Sequence, residues 1–322
     1  MPLSTLKKNS LSQYNPFLRI FLALGEKCFE PKQSRCSRLA RNQKYPKIEE
    51  LDETEQTLFR GLFHYGPLTT KQISKWLYEG KDKHAAKRLK LLFDNGYLRR
   101  QEQVFPGVKG RKPLVHSLLR PGINILVEYG IIHKSDRKYV TYIKATSKYF
   151  PHHKETNDCL ISALMAAQTA GLTPRNFSND ALIRSRTRAW KGQKIPDLFL
   201  NFQDAKYDYR FFVEMDRCFQ DRGIVEEKVY GYWQYSQTLE YLQLYGDEAN
   251  PQYTLPLLIV CHSERRLESL VEHLVNEGTP GIERVLLSTL TEVTTQNFFQ
   301  DPIWRMVCST LRSRSFMEYF SE

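Results

Sequence analysis

Three carboxylates lie at the ends of two apolar runs in the second half of the chain. The stretch IPDLFLNFQDAKYDYRFFVEMD, residues 195–216, places Asp197 at the start of the first run and Glu214 and Asp216 at the end of the second, with a polar turn between the runs. This pattern predicts a β-hairpin in which Asp197 faces Glu214 and Asp216 follows on the same face. Like charges that face each other across a hairpin repel. The carboxylates therefore predict a bound divalent cation, Mg²⁺ or Mn²⁺, since these ions prefer oxygen ligands.

Two more side chains are candidates for the same site. Lys228 lies in VEEKVYGYWQY, where it stands four residues before Tyr232 on one face of a predicted helix. The alternative is that Lys228 is a surface lysine paired with Glu226 or Glu227. Glu155, near the start of another predicted helix, is a candidate metal ligand, and a favourable interaction with the helix dipole explains it equally well.

The elements that would position these side chains alternate between helix and strand. Beyond the hairpin, the hydrophobic pattern predicts helices over residues 155–171, 225–245 and 264–276. It predicts strands over residues 181–186, in the wholly apolar run LPLLIV, and in RVLLST. This order is typical of a mixed α/β domain with a buried central sheet.

The distribution of charge divides the chain into two halves. Residues 1–150 carry 29 Lys and Arg against 13 Asp and Glu, whereas residues 151–322 carry 18 against 23, within a net charge of +11. A basic first half predicts binding to a polyanion. The sequence has no apolar run of about 18 residues, no secretory signal, no C-x-x-C pair among its six cysteines and no P-loop motif. We therefore expect a cytoplasmic protein with free thiols and no membrane segment, and we do not expect a P-loop ATPase.

Residues 51–126 predict three short helices followed by two strands. The first helix, in DETEQTLFRGLFHY, begins with acidic residues and ends before Gly66-Pro67, and the second follows a threonine N-cap in LTTKQISKWL. The third, in KDKHAAKRLKLLFDNGYL, ends at Asn95-Gly96. A Gly/Pro-rich turn, VFPGVKGRKP, then separates the strands. This order, and RLKLLFDNGYL in particular, resembles the winged helix-turn-helix domains.

The resemblance to winged helices implies how this part would bind double-stranded DNA. The helix over residues 81–94 would enter the major groove, and the wing would contact phosphates or the minor groove. The alternative is that its lysines form a solvated helix face. The candidate DNA-binding residues are basic side chains of this helix and wing, namely Lys83, Lys87, Arg88, Lys90, Lys109, Arg111 and Lys112.

The second half of the chain resembles a nuclease family. Pro196-Asp197, a gap of 16 residues and Glu214-x-Asp216 are similar to the signature of the PD-(D/E)XK nucleases. Asp216 departs from that signature, because the family usually has a lysine there. An acidic residue at this place resembles the plasmid mobilisation relaxases of the restriction-endonuclease-like group and the related replication-relaxation proteins, which also join a winged helix to such a domain. The resemblance covers roughly residues 50–290.

What this resemblance implies is a metal-dependent catalytic site. Asp197, Glu214 and Asp216 would hold the metal, with Glu155 as a further ligand. Lys228 resembles the glutamine of a Gln-x-x-x-Tyr motif that some family members carry on this helix, and it would restore the missing positive charge. Asp197, Glu214, Asp216 and Lys228 are accordingly the candidate catalytic residues.

These patterns predict a mixed α/β chain with an N-terminal winged helix-turn-helix domain and a C-terminal restriction-endonuclease-like domain. The expected boundaries are a basic N-terminal arm with a short helix over residues 1–48, the winged helix over 49–126, a connector over 127–150 and the nuclease-like domain over 151–322. We expect an endonuclease that nicks DNA at a plasmid or mobile-element origin of transfer or replication, with other mobilisation proteins as further partners.

Two alternatives stay open. The first is a sequence-specific DNA-binding regulator or replication accessory protein, in which the nuclease domain is a degenerate scaffold. The second is a nuclease for host defence, which would cut broadly instead of at one origin.

Overall fold

The structure is a computed structural model that describes residues 51–102, 113–139, 144, 147–186, 195–217, 221–245, 255–293, 298–307 and 312–315. The predicted basic arm over residues 1–48 lies outside these ranges. In the described residues, no helix is long and apolar enough to cross a membrane.

The N-terminal region, residues 51–128, contains helices and a small antiparallel sheet. Its elements are α1 (Glu53–Tyr65), β1 (Leu68–Thr69), α2 (Thr70–Leu77), α3 (Asp82–Asp94), β2 (Leu98–Glu102), β3 (Leu114–Leu118) and α4 (Arg120–Glu128). The strands have the order β1-β3-β2. Three helices followed by a strand pair are the order that the sequence predicts for a winged helix.

Local sequence sets the starts of the first two helices. Asp52 accepts a hydrogen bond from the backbone of Glu55, and the Glu55 side chain accepts one from the backbone of Asp52. Thr69 and Gln72 form the same reciprocal pair at α2. Each pair satisfies two backbone N–H groups that a helix start would otherwise leave without partners.

The sheet region, residues 147–315, is built around a seven-stranded mixed sheet of order β10-β9-β8-β7-β6-β5-β4. A 3₁₀ helix, Lys134–Tyr139, precedes it. The helices are α5 (Phe150–Thr169), α6 (Asp180–Arg186), α7 (Arg222–Ser236), α8 (Leu239–Tyr245), α9 (Glu264–Asn276) and α10 (Leu290–Val293). The strands are β4 (Thr173–Asn179), β5 (Leu198–Gln203), β6 (Asp208–Asp216), β7 (Leu257–Cys261), β8 (Val285–Thr289), β9 (Trp304–Met306) and β10 (Arg312–Arg314).

Strand direction changes at β6, which is the strand that carries two of the candidate carboxylates. Strands β4, β5 and β6 are antiparallel, whereas β6, β7 and β8 run parallel to one another. Parallel strands need crossover connections, and helices α7 and α9 lie on those connections. The mixed α/β class predicted from the sequence is confirmed.

The two faces of the sheet belong to separate hydrophobic clusters. Met215 is in the cluster that contains Leu164 of α5, while Phe212 is in the cluster that contains Val225 of α7 and Leu267 of α9. The first cluster continues without a break into the N-terminal region, because it includes the buried cores of α1, α2 and α3. The proposed domain boundaries stay a prediction.

Two predicted elements differ from those observed. Residues 181–186 are helical and not a strand; the strand lies before them, and the side chain of Asn179 accepts a hydrogen bond from the backbone of Leu182 at the helix start. The single helix predicted over residues 225–245 is two helices. Thr238 begins the second one, because its hydroxyl accepts a hydrogen bond from the backbone of Tyr241.

Candidate active site

The β5–β6 hairpin has the register that the sequence predicts. Leu198 pairs with Val213 and Asn201 with Arg210, so the same register continued by one residue sets Asp197 opposite Glu214. A hydrogen bond from the backbone N–H of Met215 to Asp197 Oδ2, 2.9 Å long, crosses between the two chain segments at this point. The start of β5 and the carboxyl end of β6 therefore meet at one edge of the sheet.

Asp197 is held on both of its oxygens. The Oδ1 atom lies 3.0 Å from Nε2 of His152, which lies in the first turn of α5, and Oδ2 accepts from Met215. Burial lowers the pKa of His152, but the hydrogen bond to Asp197 and the negative charges of Asp197 and Glu214 outweigh burial, so its pKa is raised. A histidine with a raised pKa supplies positive charge to this carboxylate over a wider pH range.

Glu214 is buried in β6 and contacts a lysine from the following crossover helix. Its carboxylate accepts a hydrogen bond from the ammonium group of Lys228 in α7, and the Lys228 side chain is itself only 13% exposed. Burial, and after it the charge of Asp197, raises the pKa of Glu214 to about 8, although Lys228 acts in the opposite direction. The prediction left open whether Lys228 pairs with Glu226 or Glu227 or with the site; it pairs with the site.

Asp216 has a different basic partner. Its buried carboxylate accepts two hydrogen bonds from Arg266, one of 2.5 Å from Nε and one of 3.3 Å from Nη2. Arg266 lies in the first turn of α9, which follows β7, and β7 runs parallel to β6 with Cys261 beside Asp216. A two-point contact between a guanidinium and a carboxylate fixes both groups in orientation as well as in distance.

Each of the three carboxylates thus has a basic partner on a helix, namely His152, Lys228 or Arg266. Lys228 offsets only part of the repulsion that predicted a bound cation, because the charge of Asp197 still raises the pKa of Glu214.

The fit of a metal can be tested on the donors that the structure brings together. In the described residues, no group of three or more His, Cys, Asp or Glu side chains is arranged to hold a metal ion. Asp216 is clamped by Arg266, and Glu155 forms an ion pair of 2.7 Å with Arg217. Asp197 and Glu214 remain, and two carboxylates are enough for Mg²⁺, which retains several water ligands.

The electrostatics of this remaining pair favour a cation. Burial and the charge of Asp197 raise the pKa of Glu214, and a divalent ion between the two carboxylates would act in the opposite direction. The metal stays a prediction. Asp197 and Glu214, which pair with His152 and Lys228 instead of an arginine, are the predicted ligands that remain for it.

Sequence reasoning missed His152 and Arg266. The sequence does hold a signal for Arg266: after the N-cap Ser263, arginine lies in the first turn of α9, where the helix dipole disfavours positive charge. Arg265 lies in the same turn and is exposed, so this signal does not distinguish the arginine that contacts Asp216. His152 lies next to a second histidine, and nothing in the sequence distinguishes the one that contacts Asp197.

The predicted DNA-binding residues separate into three groups. Lys83 and Lys87 on α3 are exposed. Arg88 lies 3.5 Å from Asp52 and also contacts the buried Glu55, so it ties α3 to the start of α1, while Lys90 pairs with Asp94 on its own helix. The wing residues lie outside the described residues; they are Lys109, Arg111 and Lys112.

Strand β2 adds basic side chains beside α3. Arg99 and Arg100 are both exposed, and the guanidinium of Arg100 lies 4.4 Å from the ring centroid of Phe93 on α3. An arginine that stacks on an aromatic ring is partly oriented before it meets a ligand. The positive surface therefore extends from α3 onto the first strand of the predicted wing.

Comparisons with known proteins add a family. A family model described as Replication-relaxation matches residues 59–246, which is more than half of the 322 residues. Among solved structures, the chain is similar to the restriction endonuclease FokI, with 13% identity and a TM-score of 0.27 over 75% of this chain and 42% of that one. The chain thus spans less than half the length of FokI, and a similarity at this score carries no argument about the site. No curated protein matches the chain.

Proposed function

The chain belongs to the replication-relaxation family, and from this we propose that it binds double-stranded DNA through its N-terminal region. We propose that it nicks one DNA strand at the site where the start of β5 meets the end of β6. The substrate would be an origin of transfer or replication on a plasmid or mobile element, as in the relaxases that the sequence resembles. Other mobilisation proteins would be its further partners.

The observation that carries this proposal is the contact of Lys228 with Glu214 beside Asp197. The sequence has an aspartate where a PD-(D/E)XK nuclease usually has its lysine. An ammonium group reaches the same glutamate from α7, so two acidic side chains and one lysine are grouped although the sequence motif is incomplete. Such a group suits hydrolysis of a phosphodiester, because it combines oxygen ligands with a fixed positive charge.

Each of these residues would have a separate task in the reaction. Mg²⁺ or Mn²⁺ held by Asp197 and Glu214 would supply an activated water and neutralise charge on the phosphate. Lys228 would stabilise the negative charge that develops on the phosphate oxygens as water adds to phosphorus and one P–O bond breaks. His152 and the backbone of Met215 would hold both oxygens of Asp197 in place.

The N-terminal region would supply the affinity for DNA. Exposed Lys83 and Lys87 on α3, together with Arg99 and Arg100 on β2, form a basic surface that suits contacts with phosphates on either side of a groove. Arg88 and Lys90 have acidic partners within the protein, so we assign them a smaller part in binding.

A second candidate function is favoured by the Asp216–Arg266 pair. This pair is buried and held by two hydrogen bonds, and it stands where a nuclease of this kind would keep a lysine facing its substrate. A chain that had lost its chemistry and kept its fold would tolerate such a pair. The protein would then be a DNA-binding regulator or a replication accessory protein.

A nicking assay distinguishes these functions. Supercoiled plasmid is incubated with the protein and Mg²⁺ or Mn²⁺, and conversion to open circles is measured for the unmodified chain, Asp197→Asn and Lys228→Met. Lys206→Met is the matched control, because Lys206 lies in the exposed turn of the same hairpin. Nicking that both site variants abolish and the control keeps supports the nuclease. DNA binding without nicking supports the regulator, and cleavage of unrelated plasmids at many sites supports a defence nuclease.

A further inference from the structure

The end of α1 depends on side chains from α5. The carbonyl groups at the end of a helix have no partners within that helix. In this structure the backbone carbonyls of Tyr65 and Pro67 accept from Nδ2 of Asn157, at 3.2 and 3.4 Å, and Nε2 of His153 lies 3.1 Å from the Pro67 carbonyl. Side chains of the sheet region therefore supply hydrogen-bond partners to the carbonyl groups at the end of α1.

Gln72 joins the same two regions through a single amide group. Its Oε1 atom accepts hydrogen bonds from the backbone N–H and the hydroxyl of Thr69, at 2.9 and 3.1 Å, and so caps α2. Its Nε2 atom donates to the backbone carbonyl of Lys154 and to Oδ1 of Asp158, both at 2.9 Å. The Gln72 side chain is buried. Its acceptor contacts on one side and its donor contacts on the other fix which way the amide oxygen and nitrogen point.

Apolar packing adds to these hydrogen bonds. The ring of Phe177 in β4 lies 5.4 Å from the ring of Tyr65 at the end of α1, measured between centroids. Side chains of both regions belong to one continuous buried cluster. A shared apolar core and buried amide contacts together oppose rotation of one region against the other.

The first turns of α5 also reach the candidate active site. His152, which contacts Asp197, is adjacent in the chain to His153, which contacts Pro67. One short piece of helix is therefore bonded on one side to the N-terminal region and on the other to a carboxylate of the site.

We propose that the first turns of α5 are a rigid spacer, and that Gln72 and Asn157 are positioning residues that set the separation between the DNA bound by α3 and the strand that is cut. The rigidity of the spacer does not depend on the chemistry. Its effect on the cut rests on the nicking function proposed above. In this scheme the nick falls at one fixed offset from the recognised sequence.

Two variants remove donors at this interface, one from α2 and one from α5, where Nδ2 of Asn157 also lies 3.0 Å from Nε2 of His153. Gln72→Glu keeps an oxygen that can cap Thr69 but places a carboxylate against the Lys154 carbonyl and Asp158. Asn157→Asp removes the donor to Tyr65 and Pro67. Asn95→Asp is the matched control, because its Nδ2 also donates to a backbone carbonyl, that of Leu91, but within the N-terminal region.

The first measurement needs no catalysis. Fluorescent labels are attached through unnatural amino acids at Lys81 and Lys206 of the full chain, both of which are exposed, and single-molecule energy transfer gives the distribution of distances. The unmodified chain and Asn95→Asp should each give one narrow distribution, and Gln72→Glu and Asn157→Asp should each give a broader one. A broad distribution in the unmodified chain, or narrow ones in both interface variants, would overturn the spacer.

The second measurement tests the offset of the cut. The recognised sequence is selected from random duplexes with the Asp197→Asn protein, and nicks made by each active variant are then mapped on a plasmid that carries it. A single offset in the unmodified chain and several offsets in Gln72→Glu support the spacer, and the same single offset in both contradicts it. A narrow distribution for the unmodified chain, broader ones for the interface variants and no nicking by any protein would leave the rigid spacer supported and reject the nuclease.

Discussion

The ammonium group of Lys228 on α7 contacts the buried carboxylate of Glu214 on β6. Helix α7 follows β6 directly in the chain, within the crossover that joins the parallel strands β6 and β7. The lysine therefore comes from the element next to the one that carries the carboxylate. A charge that is missing from a strand motif can be supplied in this way without any change in the sheet.

Replacing Lys228 tests whether this contact has a catalytic part. We expect Lys228→Met to lower the rate of nicking by about 10²-fold to 10³-fold, which is typical of removing one electrostatic stabiliser, and to raise the pKa of Glu214 further, because Lys228 lowers it. Lys228→Arg should keep part of the rate, since the charge remains. Rates come from single-turnover nicking at saturating protein. Equal rates for Lys228→Met and the unmodified chain would assign Lys228 to stability alone.

Asp197→Asn tests the metal. Addition of Mg²⁺ or Mn²⁺ should raise the Tm of the unmodified chain, because a ligand that binds only the folded state stabilises it, by about 1.4 kcal/mol at ten times its Kd. The variant should lose this shift and lose nicking, and it should keep its affinity for DNA because the N-terminal region is unchanged. Differential scanning calorimetry with and without metal measures the shift. An Asp197→Asn protein that still shows the full shift would show that the ion binds elsewhere.

Lys87 and Arg88 are neighbours on α3, and we expect replacement of Lys87 to weaken DNA binding and replacement of Arg88 to lower stability. Lys87→Ala should weaken DNA binding and reduce the slope of log K against log salt by about one, because an exposed lysine that contacts phosphate releases about one counterion. Thermal stability should stay the same. Fluorescence anisotropy over a series of salt concentrations gives the slope. An unchanged slope would show that Lys87 contacts solvent and not phosphate.

Arg88→Met should mainly destabilise the protein. Glu55 has a fully buried side chain next to Arg88, and burial, followed by the charge of Asp52, raises the pKa of Glu55. Loss of its partner should cost about 3 kcal/mol, at the lower end for a broken buried ion pair, because Arg88 is itself partly exposed. Urea denaturation measures this loss. The double variant Glu55→Gln with Arg88→Met should recover much of it, and a failure to recover would mean that Arg88 acts mainly through packing.

His116 predicts a dependence of stability on pH. Burial, and then the charge of Arg100, lowers the pKa of His116 from 6.5 to about 4. The folded state therefore binds fewer protons than the unfolded state between these values, so the stability that neutral His116 provides is present above pH 6.5 and is lost as the pH falls towards 4. Between pH 6.5 and pH 4, His116→Gln should reduce the loss in the free energy of unfolding by up to about 3 kcal/mol.

Urea denaturation of both proteins at a series of pH values between 7 and 4 checks the His116 prediction. The pKa of half-buried His153 is also lowered to about 4, mainly by desolvation, so His116→Gln should flatten the pH profile only in part. Parallel profiles for the two proteins would show that His116 does not titrate in this range.

Local patterns were sufficient to predict the hairpin. One polar turn between two apolar runs fixes the register of β5 and β6, and that register places Asp197 opposite Glu214. The resemblance of Lys228-x-x-x-Tyr232 to a Gln-x-x-x-Tyr motif of the nuclease family indicated Lys228. Tyr232 has a structural task, since its hydroxyl donates to the Leu255 carbonyl at 2.6 Å.

The partners of Asp197 and Asp216 were beyond local patterns. Arg266 is 50 residues from Asp216 and His152 is 45 residues from Asp197, and only the packing of whole elements brings them together. The prediction of a strand at residues 181–186 was wrong for a local reason, because Asn179 at the end of β4 caps the start of a helix there.

The dual hydrogen bonding of Gln72 has a consequence for engineering the protein. Grafting residues 51–128 from a relative would separate this glutamine and the Tyr65 and Pro67 carbonyls from their partners on α5. A working chimera should therefore take the first three turns of α5 from the same donor as the N-terminal region, and its junction belongs inside α5, after Ser162, instead of in the connector between the two regions.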